Sequence, residues 1–115
     1  MVAQYVPDAG DLIWLDFDPQ AGHEQAGRRP ALVLSSWRFN RKASLASVCP
    51  VTGRIKGYAS EVVLPPGLAV NGAVLCSHLR SVDWKVRNSA PICKAPDDIL
   101  LAVREIVASI AGIAP

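Results

Sequence analysis

The chain has 115 residues, of which 50% are hydrophobic and 19% charged, and its formal net charge is +2. This length predicts one domain, 1–115, and the composition is that of a globular protein. No apolar run approaches the roughly 20 residues of a membrane-spanning helix, and the N-terminus lacks a signal-peptide pattern, so we expect a cytoplasmic protein with no membrane partner.

Alternating apolar residues predict the first strands. One strand covers residues 12–17, with Ile13, Leu15 and Phe17 on one face. A second covers residues 31–35 and is apolar on both faces, which indicates a central position in the sheet. A third covers residues 45–51 and contains Pro50, whose missing amide donor predicts an edge or a bulge. Thr52 therefore lies at the end of a strand.

Turn residues delimit the later elements. Strands are predicted at residues 61–64, at 73–77 after the Asn71-Gly72 turn, and at 79–86. The segment 95–98, Ala-Pro-Asp-Asp, predicts a helix start, because proline and carboxylates are both favoured in the first turn. Apolar residues then recur at helical spacing until Gly112; they are Ile99, Leu100, Val103, Ile106, Val107 and Ile110. The predicted fold class is mostly β with one C-terminal helix.

The charges are unevenly distributed along the chain. Between Glu24 and Glu61 there is no acidic residue, whereas seven basic residues occur there: Arg28, Arg29, Arg38, Arg41, Lys42, Arg54 and Lys56. Such a segment could form one face that attracts phosphate groups. It could equally be distributed over several solvated loops, because clustering in sequence need not survive folding.

The cysteines predict neither a disulfide framework nor a metal site. Cys49, Cys76 and Cys93 are odd in number and widely spaced, so we expect three buried thiols. The sequence also lacks a glycine-rich phosphate loop and paired metal-binding carboxylates. We therefore expect chemistry without a metal or another cofactor.

The segment from Gly22 to Ser35 is the richest in reactive side chains. It contains His23, Glu24 and Gln25 in a connection that exceeds hairpin length, which suggests a functional loop. Pro30 disfavours a helical conformation for the residue before it, so Arg29 should be extended at the first position of a strand. The alternative for Arg29 is a surface ion pair with Asp16 or Asp18.

Residues 16–35 resemble the hallmark of the MazF/PemK (Kid) family of toxin endoribonucleases. The likeness extends over almost the whole chain, through Tyr5-Val-Pro-Asp8, Gly10-Asp11-Leu-Ile-Trp14, Pro50-Val-Thr52, Lys56-Gly-Tyr58, Glu61-Val-Val-Leu64 and the closing helix. The resemblance implies a small SH3-like β-barrel of the MazF/CcdB type. It also implies a homodimer that cleaves single-stranded RNA, with mRNA as the target, and a cognate antitoxin with an acidic, disordered segment.

The same resemblance implies roles for individual residues. An RNA substrate supplies its own 2′-hydroxyl nucleophile, so the enzyme needs a base, an acid and a group that stabilises the phosphorane. Arg29 and Thr52 match catalytic positions, although Thr52 could simply stabilise a turn. His23 and Glu24 are the candidates for acid and base. Expected contacts to RNA come from five further residues: Gln25, Arg28, Arg54, Lys56 and Arg87.

Two positions depart from the family pattern. Ser77 occupies a place where several relatives have a carboxylate, and Gly53 replaces a serine or threonine. Because a serine is not a comparable base, weight shifts to Glu24 and His23, with His78 as a weaker substitute. Trp37 and Phe39 are expected either at a dimer interface or in an RNA groove.

Two other functions remain open from the sequence. One is a gyrase-binding toxin like CcdB, which has the same type of fold and cleaves nothing. The other is an RNA-binding barrel without catalysis. The presence of both Arg29 and Thr52 favours a ribonuclease over either.

Overall fold

The computed structural model describes residues 4–17 and 27–113. In these ranges seven strands form one antiparallel sheet in the order β4-β5-β3-β2-β1-β7, and β6 also pairs with β3. The strands are β1 (Asp11–Phe17), β2 (Gly27–Val33), β3 (Ala46–Thr52), β4 (Glu61–Val63), β5 (Ala73–Leu75), β6 (Arg80–Val82) and β7 (Ala90–Lys94). The helices are α1 (Trp37–Ala43) and α2 (Asp97–Ile110), and a 3₁₀ turn covers Cys76–His78.

The central strands are buried on both faces. Ile13, Leu15 and Phe17 of β1 pack in one core with residues of β2, β3 and β6. Leu12 of β1 and Leu32 of β2 contribute to a second core, which α2 covers. Alternate residues of a strand point to opposite faces, so one strand supplies both cores. The predicted central position of the second strand is confirmed.

The C-terminal helix packs one stripe onto the sheet. Asp97 and Asp98 lie in its first turn, as predicted. Ile99 and Val103 are buried, and Leu100, Ile106 and Val107 pack partly against the same core. Ile110, which the periodicity had assigned to this stripe, is 57% exposed. The helix ends before Gly112, whose φ of +77° suits a residue without a side chain.

Two elements, α1 and β7, were absent from the prediction. The strand predicted at 73–77 was too long, because β5 ends at Leu75 and the 3₁₀ turn follows. The helix α1 has only seven residues, too few for a recognisable period. The strand predicted at 79–86 is limited to Arg80–Val82, because the chain turns at 83–89 and returns as β7. β7 contains Pro91, which is tolerated because this strand lies at the edge of the sheet and pairs with β1 alone.

The placement of Pro50 at an edge or bulge was wrong, since it lies inside β3. The Ser47 carbonyl accepts a hydrogen bond from Leu34 N (2.9 Å), so by alternation the odd-numbered residues of β3 bond toward β2 and Pro50 faces away. On that far side β3 pairs with β6 as far as Val48 and with β5 from Val51 onward. Pro50 lies between the two pairings, where a missing N–H costs little.

The sheet curls but does not close. Among the described strands, β4 and β7 end the sheet without pairing with each other, so the expected barrel is open. No helix in the described ranges is long and apolar enough to cross a membrane.

The fully buried residue Asn40 joins four parts of the fold through its side chain and its backbone carbonyl. Its Nδ2 donates to Pro7 O (2.9 Å) and Ser35 O (3.0 Å), and its Oδ1 accepts from Ser35 Oγ (2.6 Å). Its backbone carbonyl accepts from Trp84 Nε1 (3.0 Å). Asn40 thereby fixes α1 to the N-terminal segment, to the end of β2 and to the turn after β6.

We expect Asn40→Ala to lower the free energy of unfolding by roughly 2–4 kcal/mol, because it leaves buried partners without a hydrogen bond. Urea unfolding at fixed protein concentration measures the change. Lys42→Ala, an exposed change on the same helix, is the control. A loss within about 0.5 kcal/mol of that control, the usual range of surface substitutions, would contradict the role of Asn40.

A second prediction concerns Gly72, which lies against the end of β3 with a φ of +125°. A Cβ on Gly72 would lie 2.1 Å from Thr52 O, whereas Gly67 also has a positive φ (+94°) but has nothing within 4 Å of such a Cβ. Gly67→Ala should cost about 1–2 kcal/mol through backbone strain alone. Gly72→Ala should cost clearly more, since Thr52 must also move. Equal melting temperatures of the two variants would refute the close approach.

Candidate active site

Arg29 is held in an extended conformation within β2, as Pro30 predicts. The strand begins at Gly27, so Arg29 is its third residue rather than its first. Arg29 pairs with Leu15 of β1, and paired residues of antiparallel strands share a face. The half-buried Arg29 therefore lies on the face of the sheet that carries Leu15 and Ala31.

Thr52 ends β3, which confirms its predicted position. It is only 7% exposed, and its Oγ1 accepts a hydrogen bond from Arg54 N (3.1 Å). This bond occupies a lone pair of the hydroxyl oxygen and fixes the side chain at the start of the following loop. The O–H group then remains a donor.

The pairing of β2 with β3 places Arg29 and Thr52 on one face of the sheet. The last paired residues of the two strands are Ala31 and Pro50. Arg29 precedes Ala31 by two residues and Thr52 follows Pro50 by two, so their side chains take the same face as that pair. The guanidinium and the hydroxyl therefore belong to adjacent strands and to the same face of the sheet.

Thr52 also lines a groove with a volume of about 480 Å³. One wall is formed by the loop after β3 and the start of β4, through Arg54, Lys56, Tyr58, Ser60 and Glu61. The other wall comes from the end of β5 and the 3₁₀ turn, through Leu75, Ser77 and His78. The groove thus combines cations, a hydroxyl and an exposed aromatic ring, which are groups that bind phosphates and unpaired bases.

The groove contains some of the residues expected from the sequence. Arg54 and Lys56 are in it, and Lys56 Nζ lies 6.0 Å from the centroid of the Tyr58 ring. Ser77 and His78 line it beside Thr52. By contrast, His23, Glu24 and Gln25 lie outside the described residues.

Arg28 and Arg87 belong to another cluster, around Asp16. Arg28 Nη1 donates to Asp16 Oδ1 (2.9 Å) and to Asn88 O (3.0 Å), and Arg87 Nη1 donates to Asp16 O (3.1 Å). The hydrogen bonds from Asn88 and then Arg28 hold the pKa of Asp16 below its usual value. Asp16 thus pairs with Arg28, which faces the opposite side of the sheet from Arg29, and Asp18 lies outside the described residues.

The basic segment does not form one continuous face. Arg28 is paired with Asp16, and Arg54 and Lys56 line the groove. Three other cations, Arg38, Arg41 and Lys42, are on α1. The cations of the segment are thus distributed over separate parts of the surface, as in the second of the two alternatives left open by the sequence.

Three groove residues were not considered as site residues from the sequence: Ser60, Glu61 and Leu75. Glu61 looked like the first residue of a strand and no more. The weak signal available was a carboxylate placed four residues after Gly57, within reach of the amides of a turn.

The aromatic residues take different positions. Trp84 is buried, and its Nε1 donates to the backbone carbonyl of Asn40. Trp37 and Phe39 are exposed on α1, where Arg41 lies 5.5 Å from the centroid of the Trp37 ring. These two residues do not line the groove.

The three cysteines are free thiols that differ in burial. Cys49 and Cys76 are buried, and burial raises their pKa values to about 12 and about 11. Cys93 is only half-buried, which differs from the prediction of three buried thiols. Within residues 4–17 and 27–113, no group of three or more His, Cys, Asp and Glu side chains could hold a metal ion.

Comparison with known proteins supports the resemblance. Residues 8–111 match the family described as "PemK-like, MazF-like toxin of type II toxin-antitoxin system". The endoribonuclease toxin MazF of Escherichia coli K12 is 44% identical over 107 residues, which cover 92% of this chain and 96% of the relative. The E. coli endoribonuclease PemK is 37% identical, with 81% and 73% of the two chains covered.

Solved structures give the same answer for the fold. The crystal structure of MazF from Deinococcus radiodurans has a TM-score of 0.91 and 54% identity, and covers 95% of this chain and 99% of that one. A crystal structure of MazE-MazF from the same organism has a TM-score of 0.87 and 47% identity, with 96% and 100% covered. The chain therefore belongs to the PemK-like, MazF-like toxin family of type II toxin–antitoxin systems.

Proposed function

We propose that this chain is an endoribonuclease toxin that cleaves single-stranded mRNA in the cytoplasm and that a cognate antitoxin inhibits it. The observation that supports the proposal is that Arg29 and Thr52 lie on the same face of adjacent strands, beyond the paired Ala31 and Pro50, and that Thr52 lines the basic groove. The names of the E. coli relatives, both endoribonucleases, support the same activity.

The proposed reaction uses the 2′-hydroxyl of the substrate as the nucleophile. Its oxygen attacks the adjacent phosphorus, and the 5′-oxygen of the next nucleotide leaves with a proton. Arg29 would stabilise the charge that develops on the phosphorane, because a guanidinium is always cationic and its planar fork fits two phosphate oxygens. The Thr52 hydroxyl would donate a further hydrogen bond to a phosphate oxygen.

Proton transfer is assigned to the loop before β2. Glu24 is proposed as the base that deprotonates the 2′-hydroxyl, and His23 as its partner in acid–base catalysis. Ser77 lines the groove but cannot act as a comparable base. Gln25 completes the proposed contacts of this loop with RNA.

The groove supplies the binding energy in this proposal. Arg54 and Lys56 would contact phosphates, and Tyr58, which is 62% exposed, would stack on an unpaired base. Arg28 and Arg87 are also proposed to contact RNA, although Arg28 already shares its charge with Asp16. We expect the two groove cations to contribute more than these two.

The proposed assembly is a homodimer of one-domain chains, 1–115, with a protein antitoxin as the second partner. The D. radiodurans relative was crystallised as MazE-MazF. A groove that attracts RNA would also attract an acidic, disordered segment of an antitoxin. Inhibition would then follow from occupation of the RNA site.

The first test of the active site is Arg29→Ala, which should lower the cleavage rate by about 10²- to 10³-fold, the typical cost of losing one donor to a developing oxyanion. Lysine at this position should restore little, because it lacks the bidentate fork. The rate is measured on a single-stranded RNA, with melting curves to establish folding. Arg38→Ala, an exposed change on α1, serves as the control. Near-normal turnover by folded Arg29→Ala would exclude the assigned role.

The second test concerns the nucleophile. Replacing the 2′-hydroxyl just upstream of the mapped cut by hydrogen should abolish cleavage and leave binding nearly unchanged, since phosphate and stacking contacts remain. The same replacement one nucleotide downstream is the matched control and should be cleaved.

Because Arg29 and Thr52 are assigned the charge stabilisation that a metal would otherwise provide, cleavage should also persist in excess chelator. The products should carry a 2′,3′-cyclic phosphate and a 5′-hydroxyl. Cleavage of the modified substrate, inactivation by chelator or a 5′-phosphate product would each disprove the proposed mechanism.

A further inference from the structure

The cationic wall of the groove is built from a loop with little packing of its own. Every residue from 53 to 59 is exposed, yet this loop carries Arg54, Lys56 and Tyr58 into the groove. An exposed loop of this length samples many conformations unless polar contacts fix it. Something must therefore hold these side chains where an extended RNA could meet them.

The Glu61 carboxylate makes the contacts that fix the far half of the loop. Its Oε1 accepts from Gly57 N (2.8 Å) and from Lys56 N (3.1 Å), and Oε2 lies 3.4 Å from Lys56 N. The backbone N–H of Glu61 donates to Tyr58 O (3.0 Å). One residue thus bonds to three consecutive residues of the loop.

Glu61 is itself fixed by the sheet. It is the first residue of β4 and pairs with Leu75 of β5. Next to it, Ser60 O accepts a hydrogen bond from Cys76 N (3.0 Å), which joins the end of the loop to the 3₁₀ turn on the other wall. The Glu61 carboxylate is therefore held by a paired strand and bonds to an exposed loop.

From these contacts we infer that Glu61 is a positioning residue for RNA binding, which it supports by holding the 54–58 loop in its binding conformation. The inference rests on the proposed function, because it assigns that loop to RNA. It also explains how a carboxylate is tolerated in a groove meant for phosphates. Two backbone amides donate to the Glu61 carboxylate, so its charge is partly balanced within the loop.

Two other roles for Glu61 predict opposite results. If its main effect were repulsion of phosphate groups, removing the carboxylate would tighten RNA binding. If it took part in proton transfer, removing it would lower kcat and leave KM unchanged. As an anchor, it should affect KM and the order of the loop.

The experiment compares Glu61→Ala with Glu61→Gln. The alanine variant should raise KM for a short single-stranded RNA about tenfold, because the side chains of the 54–58 loop would become ordered only when RNA binds. Its kcat should stay within about twofold of the unaltered protein. Glutamine should restore most of the affinity, since its amide oxygen can still accept both backbone N–H groups. Glu105→Ala, which removes an exposed acid on α2, is the matched control.

Limited digestion with trypsin provides a readout that does not depend on activity. Cleavage after Arg54 and Lys56 should be about tenfold faster in Glu61→Ala than in the unaltered protein, because the loop opens more often.

Lys56→Ala should raise KM through loss of a charge but leave cleavage after Arg54 unchanged. The effects of Glu61→Ala and Lys56→Ala on KM should be less than additive, since a disordered loop no longer presents Lys56.

The outcomes are distinguishable. Three results for Glu61→Ala would each contradict a positioning role for Glu61. They are tighter RNA binding, a fall in kcat at constant KM, and unchanged trypsin cleavage after Arg54. If the unaltered protein cleaves no RNA, the proposed function fails, whereas the digestion rates still decide whether Glu61 holds the loop.

Discussion

The pairing of β2 with β3 in a single register is the constraint on which both cores and the candidate site depend. Since side chains alternate along a strand, a slip of one residue would exchange the two faces of β2. Leu32 would leave the core that α2 covers, and Ala31 would enter it. The same slip would turn Arg29 away from Thr52. Folding and the geometry of the site are therefore specified by one set of contacts.

Hydrophobicity alone specifies this register weakly, because β2 and β3 are apolar on both faces. Polar contacts at one end supply the specificity. The Ser35 hydroxyl accepts from Ser47 N (2.8 Å) and donates to the buried Asn40 side chain. At the other end Pro50 fits only where β3 passes from one neighbouring strand to the next. A shifted register would break the hydrogen bond from Ser47 N to Ser35 Oγ, at a cost of about 1 kcal/mol.

Local patterns predicted the parts of this fold that local forces determine. β1 and the helix α2 follow from alternation and from helical periodicity, and Arg29 is extended because Pro30 follows it. β7 was not predicted, because the sequence Ala-Pro-Ile-Cys-Lys shows no strand pattern. Its strand geometry comes from pairing with β1. The placement of Arg29 and Thr52 on one face could not be predicted from the sequence either, because it depends on the register of β2 and β3, to which the bond between Ser35 and Ser47 contributes. The family resemblance was the basis on which Arg29 and Thr52 were predicted to be catalytic residues.

A net charge of +2 gives little reason to expect binding of RNA, and the arrangement of the charges resolves this difficulty. Arg28 is compensated by Asp16, and Lys94 by Asp8 and Asp11. Among the described residues no ion pair involves Arg54 or Lys56, and Glu61, the acid beside them, is bonded to backbone amides. Arg54 and Lys56 thus present their charges in the groove, while Arg28 and Lys94 are compensated elsewhere on the surface. A small domain can in this way attract a polyanion at one place without a strongly basic composition.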